Sequence, residues 1–191
     1  MTEDPLLTLV RAYNFAAVHH VHQRRKGEAA EPYLNHLTEV AELAARATDA
    51  AEPEIVIAAI LHDTVEDTDA SLEDLRAAFG ERVAGLVAEV TDDKSLPKQT
   101  RKDLQVEHAA HASRGAQIIK LADKTSNLRA LSASPPKDWS GERIAEYLAW
   151  ASRVVDACRE ASPWLADQFD LAASDQRLSG LASVNSDAGS R

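Results

Sequence analysis

Residues 55–69 read IVIAAILHDTVEDTD, and the rest of the chain is organised around this stretch. Ile55, Val56, Ile57, Ala58, Ala59, Ile60 and Leu61 leave no polar face, the pattern of a helix buried on all sides. Helical spacing then continues without an expected break into His62, Asp63, Glu66 and Asp67. Four-residue spacing stacks His62 on Glu66 and Asp63 on Asp67 as two adjacent columns. Three acids and an imidazole at the end of an apolar helix cost too much to bury unpaired. A divalent cation accepts imidazole nitrogen and carboxylate oxygen together, and so answers that difficulty. The competing explanation is a solvated acidic face, but acids near a helix C-terminus oppose the macrodipole, so stability alone does not place them there.

The totals bound the answer. With 191 residues, 45% of them apolar, the chain has enough material for one domain with a substantial core. Aromatic residues are only 5% and alanine is abundant, which favours helices over sheets. A net charge of −10 argues against nucleic-acid binding, because a surface that tracks phosphates needs an excess of Lys and Arg. The single cysteine, Cys158, excludes an internal disulfide and a zinc–thiolate cluster, and its amphipathic surroundings mark it as a packed thiol. The N-terminus MTEDPLLTLV has acids where a signal peptide needs cations, and no apolar run reaches about 18 residues. The expectation is a cytoplasmic protein with no membrane association and no evident obligate protein partner.

Period-3.6 patterning runs through the chain, with no strand pattern, repeat or domain linker. Leu6, Leu9, Val10, Tyr13 and Ala17 predict a first helix over about 6–22. His19, His20 and His22 close it on different faces. A loop follows, QRRKGEAAEPY, where Arg24, Arg25 and Lys26 are either a solubilising helix end or a landing site for phosphate. A second helix begins after Pro32, with His36 near its start and Leu37, Val40, Ala41 and Ala44 as its apolar stripe. Pro53 suits the first turn of the helix that ends in His62–Asp63. Ser71 with Asp74 resembles a capping box, and Gly80 ends that helix. In AQIIKLADKTSNLRALS, Asp123 interrupts an apolar stripe and Asn127 follows one turn later. Ser140 caps a long helix, and Ser162–Pro163 opens a last one to about Leu178. The reading is a single domain over 1–178 and a flexible tail over 179–191.

Taken together, His36, His62–Asp63 and Asp123 resemble, in order, the four ligands of the HD phosphohydrolase superfamily. The blocks RRK-x5-PYxNH, AAxLHDTVEDTD, EVTDDKxLPK, KLADKxxNLR and ERxxEYxxW narrow this to the RelA/SpoT-type alarmone hydrolases, most of all the stand-alone small hydrolases related to the metazoan SpoT homologue. The resemblance covers residues from about 13 to about 165. It implies an all-α HD-domain bundle holding one Mn²⁺ through His36, His62, Asp63 and Asp123. It implies removal of the 3′-pyrophosphate from guanosine tetra- or pentaphosphate, with Glu66 and Asp67 as the catalytic acid pair. Arg25, Lys26, Lys98, Asn127, Arg143 and Tyr147 match positions that contact the nucleotide. His19, His20, His22, His108 and His111 match no ligand position and are assigned to surface or packing. Thr125–Ser126 stands where relatives often carry a bulkier apolar or aromatic pair, so packing behind Asp123 is expected to differ.

Two other functions fit part of the pattern. Another HD phosphohydrolase, acting on (p)ppApp, NADPH or a further nucleotide, would share the metal set, although Glu66–Asp67 and the RRK block favour a pyrophosphate substrate. A catalytically dead alarmone-binding protein would be expected to lack a ligand or the Glu–Asp pair, and here all are present.

Overall fold

Helix α3 (Pro53–Leu61) forms the axis of the computed structural model, in which the backbone of residues 4–188 and the side chains of residues 4–175 are described. Ile55, Ile57, Ala58, Ala59, Ile60 and Leu61 are all at most 3% exposed, so every face of this helix is covered. Around it pack α1 (Pro5–His19), α2 (Tyr33–Ala47), α6 (Glu81–Val90) and α8 (Arg114–Ala133). Two short helices, α4 (Thr64–Asp67) and α5 (Leu72–Phe79), link α3 to α6. An outer pair, α7 (Lys98–Ala109) and α9 (Gly141–Cys158), closes one side, and α10 (Pro163–Ala188) lies along α8. No strand occurs among the described residues; one isolated bridge joins Arg24 to Pro32. None of these helices is long and apolar enough to cross a membrane. The architecture is the expected all-α bundle.

The core is aliphatic: Leu37, Ile60, Leu61, Ile118, Ile119, Leu121, Leu128 and Leu165 are fully enclosed. Each such side chain contributes about 1.5–3 kcal/mol when removed from water. Close approach of α8 to its neighbours requires Gly115, where a Cβ would stand 2.7 Å from Leu86 Cδ2. The expected caps are present. Ser71 and Asp74 form a reciprocal capping box, Ser140 accepts from the Arg143 amide at 3.2 Å, and Gly80, at φ 88°, ends α5 and starts α6. Cys158 is buried and donates to the Val154 carbonyl.

Three boundaries differ from expectation, the first being α1, expected to about residue 22, which ends at His19. The helix expected to run unbroken through His62 and Asp63 is interrupted there. Asp63 has ψ −3°, and the backbone ladder resumes with the Asp67 amide on the Asp63 carbonyl. The cause is local: His62 Nδ1 lies 2.8 Å from the Ala59 carbonyl, which in an unbroken helix would serve the Asp63 amide. At the other end, α10 passes the expected stop at Leu178 and reaches Ala188, since a helix once nucleated propagates readily. The expected flexible tail over 179–191 thus begins inside this helix; its side chains, and all of residues 189–191, lie outside the described residues.

Candidate metal centre and active site

Three helices deliver four side chains to one point. His36 comes from the first turn of α2, His62 and Asp63 from the break after α3, and Asp123 from the middle of α8. Nε2 of His36 lies 3.3 Å from Asp123 Oδ1 and 3.6 Å from Asp63 Oδ2. Nε2 of His62 lies 3.0 Å from Asp63 Oδ2 and 3.9 Å from Asp123 Oδ1. His36, His62 and Asp123 offer ligand atoms all within 4.8 Å of one another. The fit to a cation rests on a specific observation. His62 Nε2 is buried and, for all its closeness to Asp63, makes no properly aligned hydrogen bond. A buried ring nitrogen aimed between two carboxylates is an unsatisfied polar atom unless something electrophilic joins it. The donor set of two imidazoles and two carboxylates suits a divalent metal. Asp63 is held in turn by Tyr33, whose hydroxyl donates to Oδ2 at 2.6 Å. Burial, and after it the Asp63 carboxylate, raise the Tyr33 pKa, so the phenol stays protonated.

Titration of this cluster makes cation binding pH-dependent. Burial alone would lower the His62 pKa, but the Asp63 and Asp123 carboxylates outweigh it and push it up to about 9 in the metal-free protein. A proton therefore occupies His62 at pH 7.5 and must leave when a cation binds. Affinity is expected to rise up to about tenfold per pH unit and to level off above pH 9, because only the deprotonated ring ligates. Calorimetric titration at pH 7.5 in buffers of different ionisation enthalpy should count one proton released per cation; a count of zero contradicts the assignment.

The acid pair lies just beyond the break. Glu66 is half-buried; burial and then Asp63 push its carboxyl up to about 7, against a hydrogen bond from the Asp92 amide at 3.2 Å. That value suits a group that exchanges protons near neutrality. Asp67 is tied down instead, accepting from Lys94 Nζ and from Gln23 Nε2 at 2.9 Å. The two acids thus have different environments in spite of being adjacent.

Of the predicted nucleotide-contacting residues, Arg25, Asn127 and Tyr147 join the metal cluster. Asn127 Nδ2 donates to Asp123 Oδ1 at 2.6 Å, and its Oδ1 accepts from Arg25 Nη2 at 2.9 Å. Tyr147 lies close enough to feel Lys124, Asp123 and Arg25, and burial raises its pKa to about 12. The loop carrying Arg25 is fixed by the Arg24–Pro32 bridge and by Gly27, where a Cβ would stand 2.2 Å from the Ser134 carbonyl oxygen at the end of α8. Lys26 is exposed next to Arg25. Lys98 and Arg143 are exposed at the starts of α7 and α9 and do not touch the cluster, yet both help to lower the Lys102 pKa, for which burial is the first cause. Arg143 lies over the Trp139 ring at 4.5 Å.

Two further lysines take part that the sequence does not single out as site residues. Lys124, on the turn of α8 that holds Asp123, donates to Asp123 Oδ2 at 2.7 Å and covers Trp150 at 4.6 Å. Burial alone would lower its pKa, but Asp123 raises it. Lys102 sits over the same indole at 5.0 Å. Its position one turn after Lys98 was the available signal. His20, assigned to surface or packing, is packed: it is 3% exposed and stacks on Tyr33. His22, His108 and His111 are exposed, while His19 meets Asp69 at 3.3 Å.

Comparison with known proteins agrees with this geometry. Residues 12–148 match the HD domain family. A guanosine-3′,5′-bis(diphosphate) 3′-pyrophosphohydrolase, MESH1 of Xenopus tropicalis, is 44% identical over 178 residues, covering 93% of this chain and 99% of that protein. MESH1 of Homo sapiens is 49% identical over 147 residues, covering 77% and 82% respectively. Among solved structures, a metazoan orthologue of SpoT described as hydrolysing ppGpp superposes with a TM-score of 0.84 at 44% identity, covering 90% of this chain and 96% of the other. The chain belongs to the HD domain family, in the group that contains the MESH1 proteins.

Proposed function

We propose that this protein is a Mn²⁺-dependent 3′-pyrophosphohydrolase of guanosine 3′,5′-bis(diphosphate) and its pentaphosphate, yielding GDP or GTP and pyrophosphate. The observation that carries this reading is the convergence of His36, His62, Asp63 and Asp123 beside a carboxyl group, Glu66, that titrates near 7, within a fold shared with MESH1. Nitrogen and oxygen donors without a thiolate support Mn²⁺ over structural zinc. The cation, when bound, supplies a Lewis acid that draws electron density from the phosphoryl group and acidifies a water molecule. Glu66 takes the proton from the water attacking the phosphorus that carries the 3′-oxygen. Asp67, fixed by Lys94 and Gln23, holds that water in line. The 3′-O–P bond breaks, pyrophosphate departs, and the 3′-oxygen gains a proton. Arg25 and Asn127 bind phosphate oxygens next to the centre, and Tyr147 closes that side. Lys26, Lys98 and Arg143 form an outer positive rim that offsets the repulsion between a polyanion and a chain of net charge −10. We assign the reaction to the cytoplasm. The one thiol is buried and raised to about 11, so nothing in this chain calls for an oxidising compartment.

Product analysis tests the reading. Incubation with ppGpp, ppApp and NADPH in the presence of Mn²⁺ should release pyrophosphate and GDP from ppGpp; turnover of NADPH alone would replace this assignment.

The basic loop has its own expected result. Replacing Arg25 and Lys26 together with Ala should raise KM for ppGpp at least fivefold, since each charge-assisted contact contributes about 1.5–3 kcal/mol before screening reduces it. Wild-type KM should climb with salt, and the variant's should be high and nearly flat. If KM stays within about twofold at moderate salt, the loop is only a solvated helix end.

A further inference from the structure

His36 and His62 are oriented by different means. His62 Nδ1 is held by a backbone carbonyl, that of Ala59, which no substitution removes. His36 Nδ1 is held by a side chain, Ser126 Oγ, at 2.9 Å. Ser126 is 1% exposed, and the same hydroxyl lies 2.7 Å from Glu39 Oε2. Glu39 Oε1 accepts from Arg129 Nη1 at 3.0 Å, and Arg129 Nη2 reaches Gln168 Oε1 at 3.1 Å.

The proton order along this chain is fixed by its outer end. A guanidinium only donates and an ionised carboxylate only accepts, while a hydroxyl has one proton to give. Paired with Arg129, Glu39 accepts at both oxygens, so Ser126 donates to Glu39 and keeps its lone pairs for His36. His36 must therefore donate from Nδ1, which leaves its Nε2 lone pair facing Asp63 and Asp123. Were the hydroxyl turned the other way, Nδ1 would be the acceptor and an N–H would point at the cation site.

We propose that Ser126 and Glu39 are positioning residues: through the buried hydroxyl, the Glu39–Arg129 pair sets the tautomer and ring orientation of His36 and thereby the affinity for the divalent cation. The relay spans α2 and α8, so it also fixes the helix bearing His36 relative to the helix bearing Asp123. Its inner end is sealed. Its outer end opens at a surface hollow of about 210 Å³ lined by Glu39, Glu42, Arg46, Arg129, Trp164 and Gln168. This inference rests on the proposed role of His36 as a ligand, not on the identity of the nucleotide.

The test reads cation binding directly. Metal-free wild type, Ser126→Ala, Glu39→Gln and His36→Ala are titrated with Mn²⁺ in competition with a chromogenic chelator, with circular dichroism confirming the fold. Ser126→Ala should weaken Mn²⁺ about 10–100-fold, the range found when the hydrogen-bond partner of a metal-bound imidazole is removed. Glu39→Gln should weaken it less, about threefold or more, because an amide can turn its NH2 toward Ser126 and reverse the chain. At saturating Mn²⁺, kcat of Ser126→Ala should recover to within a fewfold of wild type, as a loss of positioning alone requires. Affinity within twofold of wild type in Ser126→Ala, with His36→Ala clearly weakened, overturns the inference and leaves the ligand set standing. Wild-type affinity in His36→Ala removes the ligand assignment and this inference with it. If Ser126→Ala does not fold, Glu39→Gln at the half-exposed rim decides alone, and unchanged affinity there is a refutation.

Discussion

Asp123→Asn and His62→Ala are each expected to lose the bound cation and, with it, all measurable turnover. Asp123 Oδ1 faces both rings, 3.3 Å from His36 Nε2 and 3.9 Å from His62 Nε2. Replacing it with an amide removes a negative charge while preserving shape. The loss extends beyond the cation, because Lys124 is 6% exposed and Asp123 is its ion-pair partner. Leaving a buried charge unpaired destabilises by about 3–5 kcal/mol, so Asp123→Asn should also melt at a lower temperature. His62→Ala separates the two effects. It takes away a ligand without stranding Lys124, and its metal content should fall as far with a smaller loss of stability. Metal analysis by mass spectrometry, thermal melts and turnover on the same preparations give the three readouts. Full activity in a chelated, metal-free wild-type sample would sink the metal-dependent reading.

Glu66→Gln and Asp67→Asn should behave in the opposite way, keeping the cation while losing rate. General acid–base groups typically contribute about 10²–10⁴-fold, and Glu66→Gln should fall at the upper end of that range. Its carboxyl is pushed up to about 7, accepts one hydrogen bond from the Asp92 amide at 3.2 Å and has Arg101 Nη1 no nearer than 4.0 Å, which leaves it able to take up and release a proton. Asp67 accepts from Lys94 and Gln23 and serves as a fixed acceptor, so Asp67→Asn should cost less, nearer 10²-fold. Steady-state rates paired with metal stoichiometry distinguish the roles. Loss of the cation in Glu66→Gln would make Glu66 a ligand instead of a base.

The candidate metal centre was legible in the sequence because the chemistry of such a centre restricts residue type. His36, His62, Asp63 and Asp123 stand out as polar groups in apolar helical stripes, and only a short menu of side chains serves a cation. Helices and caps were legible for a similar reason: Ser71, Gly80, Ser140 and Pro163 each do local work that depends on neighbours within a few residues. What escaped was geometry set at a distance. The break at His62 came from a side chain capturing the Ala59 carbonyl, and residue spacing does not register such a local change in ψ. From the sequence, Thr125–Ser126 signals only altered packing behind Asp123, and the contact of Ser126 with Glu39, 87 positions away, leaves no trace. Lys124 and Trp150 both stand in the quoted motif blocks, but their stacking could not be read from them, since a lysine over an indole leaves no periodic trace.

Helix α8 acts as a ruler. Asp123 marks its zero at the metal centre, Asn127 one turn on meets Arg25, and Ser134 at its end receives the loop at Gly27. At about 1.5 Å per residue, the first interval is about 6 Å and the second about 10 Å. Asp123 and Asn127, the residue that holds Arg25, thus stand on one rod, so the spacing between these two is set by helix geometry. With the cation at Asp123 and a phosphate at Arg25, as proposed, a polyphosphate of different length would meet the two out of step.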